Sequence, residues 1–367
     1  MRLSRRNKKA IHWLRRQIWR RPSRDFGPRR GPVIHVVILD GTMSTLDPGY
    51  ETNAGRAYQL CREMGTQLSV YYEPGLQWTD WRSARDVMMG RGINRQIRRA
   101  YGYLASRYHP GDRIFLLGYS RGAYAVRSLA GVIDRMGLLR AQVATERNIR
   151  DVYRHYQGEP DAAVARAFSR AKCLQDVEIE MIGVWDTVKA LGLNMPILWR
   201  LSEKSHAFHN HELSHNVKAG YHALALDETR LAYKPVMWRT EDGFAGHVEQ
   251  VWFAGTHGDV GGQLGGFEAA RPLANIPLVW LLGKAQRAGL PLPSGWANRF
   301  PRDATAPMRG TFRGKGKWFI TRRARKVMHD PSERLHESVK ARQNRDAPAR
   351  RKLAFRSSRR LGVSKCE

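Results

Sequence analysis

Apolar residues gather in short runs that alternate with segments of helical period. Val33-Ile34-His35-Val36-Val37-Ile38-Leu39 and Arg113-Ile114-Phe115-Leu116-Leu117-Gly118 are near-continuous apolar stretches closed by Asp or Gly. Runs of this length and β-branched content read as strands buried on both faces. The pattern predicts strands near 33–39, 67–73, 113–118, 179–185 and 249–255. It predicts helices near 54–64, 93–107, 121–134, 142–156, 161–172, 216–226 and 273–288. Strand and helix alternation of this kind argues for an α/β fold, α/β-hydrolase-like, with a mainly parallel sheet and helices on both faces. Ligand sites in such sheets lie at the carboxyl ends of the strands.

The run ending at Gly118 leads into Tyr119-Ser120-Arg121-Gly122-Ala123 and then a helical pattern. Strand, sharp turn, helix is the context that makes Gly-x-Ser-x-Gly a nucleophile elbow. Gly118 and Gly122 let strand and helix backbones approach closely. A serine hydroxyl needs a base to take its proton and a carboxylate to orient that base. On this scaffold the chain order is Ser, then acid, then His. Asp186 closes the run Ile179–Trp185 and is the first candidate acid; His257 closes Val251–Thr256 and is the candidate base. Asp259, two residues past the histidine, and Asp227 rank behind Asp186. Asp259 could instead hold the histidine loop in shape. The oxyanion hole would take the N–H of Arg121 and that of Gly41 or Thr42, with Asp40 shaping the early loop.

Six motifs occur in order: Asp40-Gly41-Thr42, Tyr71-Tyr72-Glu73-Pro74-Gly75, Gly118-Tyr119-Ser120-Arg121-Gly122-Ala123-Tyr124, Gly183-Val184-Trp185-Asp186-Thr187, Ala223-Leu224-Ala225-Leu226-Asp227-Glu228 and His257-Gly258-Asp259-Val260-Gly261-Gly262. Over residues 33–290 the chain resembles the α/β-hydrolase family numbered 2235 among domains of unknown function. That family includes the catalytic domain of one group of type VI secretion phospholipase effectors. The resemblance implies a Ser-Asp-His ester hydrolase with Ser120, Asp186 and His257 at the triad positions. It implies acyl-ester substrates, including phospholipid in the effector branch. Arg121 after the serine matches the family; Met43 stands where members often carry a bulky aromatic.

Charge is concentrated at the two ends of the chain. The chain of 367 residues carries a formal net charge of +30. Residues 1–30 hold +11 and residues 298–367 hold +15, which leaves only +4 on residues 31–297. The expected organisation is therefore a basic amphipathic segment (1–30), a catalytic domain (31–297) and a polybasic, partly disordered tail (298–367). Ile11, Leu14 and Ile18 give residues 4–21 an apolar stripe, for a membrane surface or for packing on the domain. Residues 188–215 read as an apolar cap, lid or ordinary helical cover after the acid strand. Trp318 and Phe319 sit among basic residues and could anchor at an interface or stack on bases.

Cys61, Cys173 and Cys366 show no paired spacing, which fits a reducing compartment. His209, His211 and His215 lack a completing carboxylate or thiolate cluster, so no metal and no cofactor is expected. No apolar run is long enough to span a bilayer, and charge interrupts the stretch that would serve as a signal core. The expected location is cytoplasmic or peripheral on a membrane, with secretion only by a signal-independent route. Expected partners are an acyl-ester or phospholipid substrate and an anionic membrane surface. Nucleic acid ranks lower, and an immunity protein or chaperone would follow from an effector role. The competing readings are a carboxylesterase or thioesterase for small non-lipid esters, and a hydrolase scaffold that binds anionic membrane or nucleic acid through its ends.

Overall fold

The apolar runs become the central strands of a seven-stranded parallel sheet. The computed structural model describes residues 30–75, 91–158, 160–188, 212–240, 246–312 and 321–343. The chain divides after Pro32, and the sheet lies in the unit that begins at Val33. The expected N-terminal helix, most of the apolar insertion after the acid strand, His209, His211, Trp318, Phe319 and Cys366 lie outside the described residues.

Along the chain, β1 (Ile34–Leu39), α1 (Asn53–Glu63), β2 (Leu68–Glu73), α2 (Arg91–Arg107), β3 (Arg113–Tyr119) and α3 (Arg121–Met136) come first. β4 (Leu138–Leu139), α4 (Glu146–Gln157), α5 (Ala163–Lys172), β5 (Cys173–Leu174) and β6 (Met181–Trp185) follow. Then come β7 (Ala219–Ala225), β8 (His247–Phe253), α6 (His257–Gly261), α7 (Arg271–Arg287) and β9 (Glu333–Leu335). The sheet order is β2-β1-β3-β6-β7-β8-β9, and every neighbouring pair runs parallel. Strands β4 and β5 form a separate antiparallel pair.

Period-two alternation divides the strand side chains between two cores. Val37, Leu39, Ile114 and Leu116 pack on one face with residues of α2, α3 and α4. Val36, Ile38, Phe115 and Leu117 pack on the other with residues of α1 and α7. Burial on both faces is the reason these strands read as continuous apolar runs. Local capping agrees: Thr52 accepts from Gly55 N at 2.9 Å to start α1, and Thr145 does the same for α4 through Asn148 N at 3.3 Å.

Two elements differ from expectation. The sequence pattern predicts a helix over residues 216–226, yet Ala219–Ala225 forms β7 between β6 and β8. Its three alanines favour a helix locally. Tertiary context overrides them, because both edges pair and small residues make room for Trp238. That indole lies 5.6 Å, edge-on, from the His222 ring and would press on any Cβ at Gly220. The second difference is β9, which pairs Gln250 with Glu333 and Trp252 with Leu335 inside the region expected to be a basic tail. Residues 298–312 and 321–343 pack against the domain: Arg309 N donates to Asp259 Oδ1, and Phe300, Ala306 and Val339 join the core that holds residues of α1 and α7.

No described helix is long and apolar enough to cross a membrane. Among the described residues no group of His, Cys, Asp and Glu is arranged to hold a metal ion.

Candidate active site

Ser120 sits between β3 and α3 with φ 57° and ψ −119°, outside the conformations a serine ordinarily adopts. Its neighbours hold it there. The Ser120 N–H donates to Trp185 O at 3.0 Å, and Ser120 O accepts from Tyr124 N at 3.3 Å. A Cβ on Gly122 would lie 2.1 Å from Leu39 O, so only glycine allows α3 to start this close to β1.

Asp186 follows β6 with φ 41°, and its N–H donates to Ala223 O at 2.8 Å. The next amide, Thr187 N–H, donates to His222 Nε2 at 3.0 Å. That bond needs an unprotonated Nε2, and burial accordingly lowers His222 to about 3.

His257 opens α6 beyond β8. Thr256 and Asp259 cap that helix reciprocally: Asp259 Oδ2 accepts from Thr256 N at 2.8 Å and from Thr256 Oγ1 at 2.7 Å. Asp259 Oδ1 accepts from Arg309 N at 2.7 Å. Asp259 therefore ties the histidine loop and does not face His257 Nδ1. Asp227 Oδ2 accepts from Gly255 N at 2.6 Å, again supporting that loop. Glu228 accepts the His257 N–H at 3.2 Å and holds Arg230 through both of its oxygens.

These elements bring three side chains into line. Ser120 Oγ is 2.9 Å from His257 Nε2, and His257 Nδ1 is 2.6 Å from Asp186 Oδ2. All three are buried, with Asp186 at 0% exposure and Ser120 at 6%. Tyr119 stacks on the imidazole at 4.9 Å, and Tyr233 lies at 4.7 Å. Burial lowers His257 below the ordinary imidazole value, against the opposing pull of Asp186. Burial alone would raise Asp186, but the charge of Arg325 and the His257 hydrogen bond hold it well below the usual carboxylate range. Such an array can deprotonate the serine hydroxyl and keep the imidazole in one tautomer.

The early loop closes the site from the other side. Asp40 is buried and accepts from Gly41 N at 2.6 Å, Thr52 Oγ1 at 2.6 Å and Tyr72 OH at 2.8 Å. Burial pushes its carboxyl up to about 6 despite those bonds. Thr42 O accepts from Gln263 Nε2 at 2.9 Å, which ties this loop to the histidine loop. The Arg121 N–H begins its helix and has no intrahelical acceptor.

Residues 34–284 match the family model described as the T6SS phospholipase effector Tle1-like catalytic domain. The chain belongs to that family. Among curated proteins, this Tle1-like chain is 26% identical to the uncharacterized protein YEL023C of Saccharomyces cerevisiae, over 54% of this chain and 32% of that protein. It thus spans about a third of the length of that relative. A crystal structure of an uncharacterized protein from Pseudomonas aeruginosa aligns at TM-score 0.44 with 16% identity, covering 74% of this chain and 49% of that one. The structure of the Tle1 effector bound to the VgrG spike from the type 6 secretion system aligns at TM-score 0.31 with 16% identity, covering 64% and 52%.

Sequence reasoning missed Arg325, Arg230, Tyr233 and His222 in the Tle1-like site. Arg325 Nη1 lies 2.6 Å from Asp186 Oδ1, and Nη2 lies 2.9 Å from Oδ2. Its only sequence signal is membership of Arg322-Arg323-Ala324-Arg325-Lys326, where a buried cation cannot be told from solvated ones.

Proposed function

We propose that this protein is a serine ester hydrolase acting on acyl esters of phospholipids. The observation that carries the reading is the continuous bond path from Ser120 Oγ through His257 to Asp186, built on a strained elbow. Ser120 Oγ attacks the acyl carbonyl as its proton passes to His257 Nε2. The N–H groups of Arg121 and Thr42 receive the oxyanion; Gly41 N–H is already committed to Asp40. The ester C–O bond then breaks as His257 returns that proton to the departing alkoxide. Water, deprotonated by the same nitrogen, releases the fatty acid from Ser120. Asp186 holds the Nδ1–H and stabilises the imidazolium that forms in both halves.

Two features support a phospholipid over a neutral ester. The first is the family, whose description names phospholipase effectors. The second is Arg121. Its partly buried guanidinium makes no hydrogen bond or ion pair among the described residues, and burial lowers it to about 10. A desolvated cation beside the nucleophile favours an ester that carries its own anion. The basic ends would draw the enzyme to anionic bilayers, at about 1 kcal/mol per Lys or Arg near the surface.

The test is fatty-acid release from phosphatidylglycerol and phosphatidylcholine vesicles and from a p-nitrophenyl ester series, with Ser120→Ala alongside. Release by wild type that disappears in the variant is expected. Equal release by both proteins overturns the Ser120 mechanism, and activity confined to short neutral esters overturns the phospholipid assignment.

A further inference from the structure

A cation lies directly behind the candidate catalytic acid. Arg325 grips Asp186 with both terminal guanidinium nitrogens; Nη1 also donates to Ala225 O at 2.7 Å and Nη2 to Tyr233 O at 2.5 Å. The side chain of Arg325 is 5% exposed and that of Asp186 is 0% exposed. Four acceptors around one planar fork fix both groups in a single orientation. Asp186 Oδ1 also accepts Ala225 N at 3.0 Å, so neither carboxylate oxygen is left to rotate.

The chain path to Arg325 is pinned on both sides. Before it, Arg323 N donates to Thr229 O at 2.7 Å, Leu231 N donates to Thr321 O at 3.1 Å, and Arg322 reaches the Thr229 and Thr311 hydroxyls. After it, Glu333 collects the N–H groups of Met328, His329 and Asp330 and also Trp252 Nε1 at 2.7 Å. Asp330 bonds the Thr240 backbone and hydroxyl, and β9 then joins the sheet. The whole segment from Thr321 to Leu335 lies beyond residue 284, where the match to the family ends.

We propose that the segment 321–335 completes the catalytic site of this protein, with Arg325 as a positioning residue that locks Asp186 and thereby sets the basicity and aim of His257. The inference rests on the Ser120–His257–Asp186 reading above. Asp186 orients the imidazole through Oδ2, and Arg325 stops the carboxylate from turning away. Arg325 also shares the Asp186 charge, which weakens the hold of that carboxylate on an imidazolium. His257 is faced by Asp186 at Nδ1, with Arg325 behind that carboxylate, by Ser120 at Nε2, by the Tyr119 and Tyr233 rings, and by Glu228 with Arg230 at its backbone N–H. Of these groups, Arg325 is the one whose removal unmasks the Asp186 charge. Taking it away should raise the His257 titration point and loosen its aim together.

The experiment is the rate at which a fluorophosphonate labels Ser120, followed by mass spectrometry from pH 5 to pH 9. Labelling joins Ser120 Oγ to phosphorus, expels fluoride and passes the hydroxyl proton to His257, so it reads the activated serine without knowledge of the natural ester. Four full-length proteins are compared with wild type: Arg325→Met, Arg325→Lys, Lys326→Met and Ser120→Ala. Lys326 is exposed, sits in the same segment and makes no bond among the described residues, so its variant should label like wild type.

The expected result for Arg325→Met is labelling slowed about 10- to 100-fold at neutral pH, in line with misplacement of a catalytic group. Its acid limb should move up by about one pH unit, and Arg325→Lys should restore the limb toward wild type by returning the charge. An Arg325→Met protein that labels at the wild-type rate with an unmoved limb overturns the proposal and leaves the Ser120 mechanism standing. Slower labelling with an unmoved limb, accompanied by a lower melting temperature, makes Arg325 a structural residue and also overturns it. Absence of labelling in wild type, or labelling elsewhere that persists in Ser120→Ala, removes the catalytic reading itself, and the proposal falls with it.

Discussion

Asp40 Oδ1 takes the Gly41 N–H at 2.6 Å, inside the loop that would otherwise offer that amide to substrate. The same carboxylate holds Thr52 and Tyr72, so one buried acid shapes the early loop from three directions. In the proposed mechanism the second oxyanion donor is then Thr42. Asp40→Ala leaves the Gly41, Thr52 and Tyr72 donors, among others, without their acceptor, at about 1–3 kcal/mol each. Asp40→Asn keeps an acceptor for Gly41. Urea unfolding should place the alanine variant well below the asparagine variant, and kcat should fall further than KM rises in both. An unchanged kcat in Asp40→Ala would mean that this loop does not form the oxyanion site.

Asp186→Asn tests the acid. The asparagine can present a donor to Nδ1, which favours the wrong tautomer, and a loss of about 10⁴ in kcat is expected by analogy with other triads. The change also strands the Arg325 guanidinium, and an uncompensated buried charge costs about 3–5 kcal/mol. Activity and melting temperature should therefore fall together, measured by ester turnover and by calorimetry.

In the proposed mechanism, proton uptake by His257 should switch hydrolysis off. The imidazole must be neutral to accept the Ser120 proton, and burial lowers its titration below the ordinary value of about 6.5. The acid limb of kcat/KM is expected to have its midpoint below that pH. A midpoint above 7 would contradict a buried imidazole in this setting.

His222 offers a stability test with a definite sign. Its folded-state value is lowered to about 3, so between that pH and about 6.5 the unfolded chain binds a proton that the folded chain refuses. Stability from this group is full above about pH 6.5 and is lost on acidification at up to about 1.4 kcal/mol per pH unit. Asp40, raised to about 6, acts in the opposite direction, so the comparison has to be made between variants. Relative to His222→Gln, wild type should weaken as pH falls from 6.5 to 4.5 in urea melts. Parallel curves would show that His222 titrates normally.

Gly122→Ala tests the elbow as a packing device. A Cβ 2.1 Å from Leu39 O forces β1 and α3 apart, and overpacking of this severity should cost at least about 3 kcal/mol. Gly31→Ala, where nothing lies within 4 Å of the added carbon, should be close to neutral. Thermal melts of the two variants check the contrast.

Patterns carried within a few residues are legible in the sequence by itself. The apolar runs of β1 and β3 announce strands buried on both faces, since each run is short, branched and closed by turn residues. The run from Phe115 to Ala123 announces a sharp strand-to-helix turn, because glycine is needed where backbones touch. The ordered motifs put Ser120, Asp186 and His257 at the ends of separate strands, and the structure brings those three within hydrogen-bonding distance.

Choices among locally equivalent options are settled by long-range packing. Ala219–Ala225 has the composition of a helix, and only pairing on both edges makes it a strand. Glu333–Leu335 is three residues long, too short for any periodicity to register. Asp40 and Gly41 are adjacent in sequence, yet the commitment of their bond depends on Thr52 and Tyr72 arriving from elsewhere. Arg325 is one of four closely spaced cations, chemically identical to Arg322 and Arg323 in any linear reading. Its burial against Asp186 depends on contacts across 139 positions of chain. Local sequence encodes period and turn chemistry. The partner of a charge is set by which distant backbone the sheet carries past it.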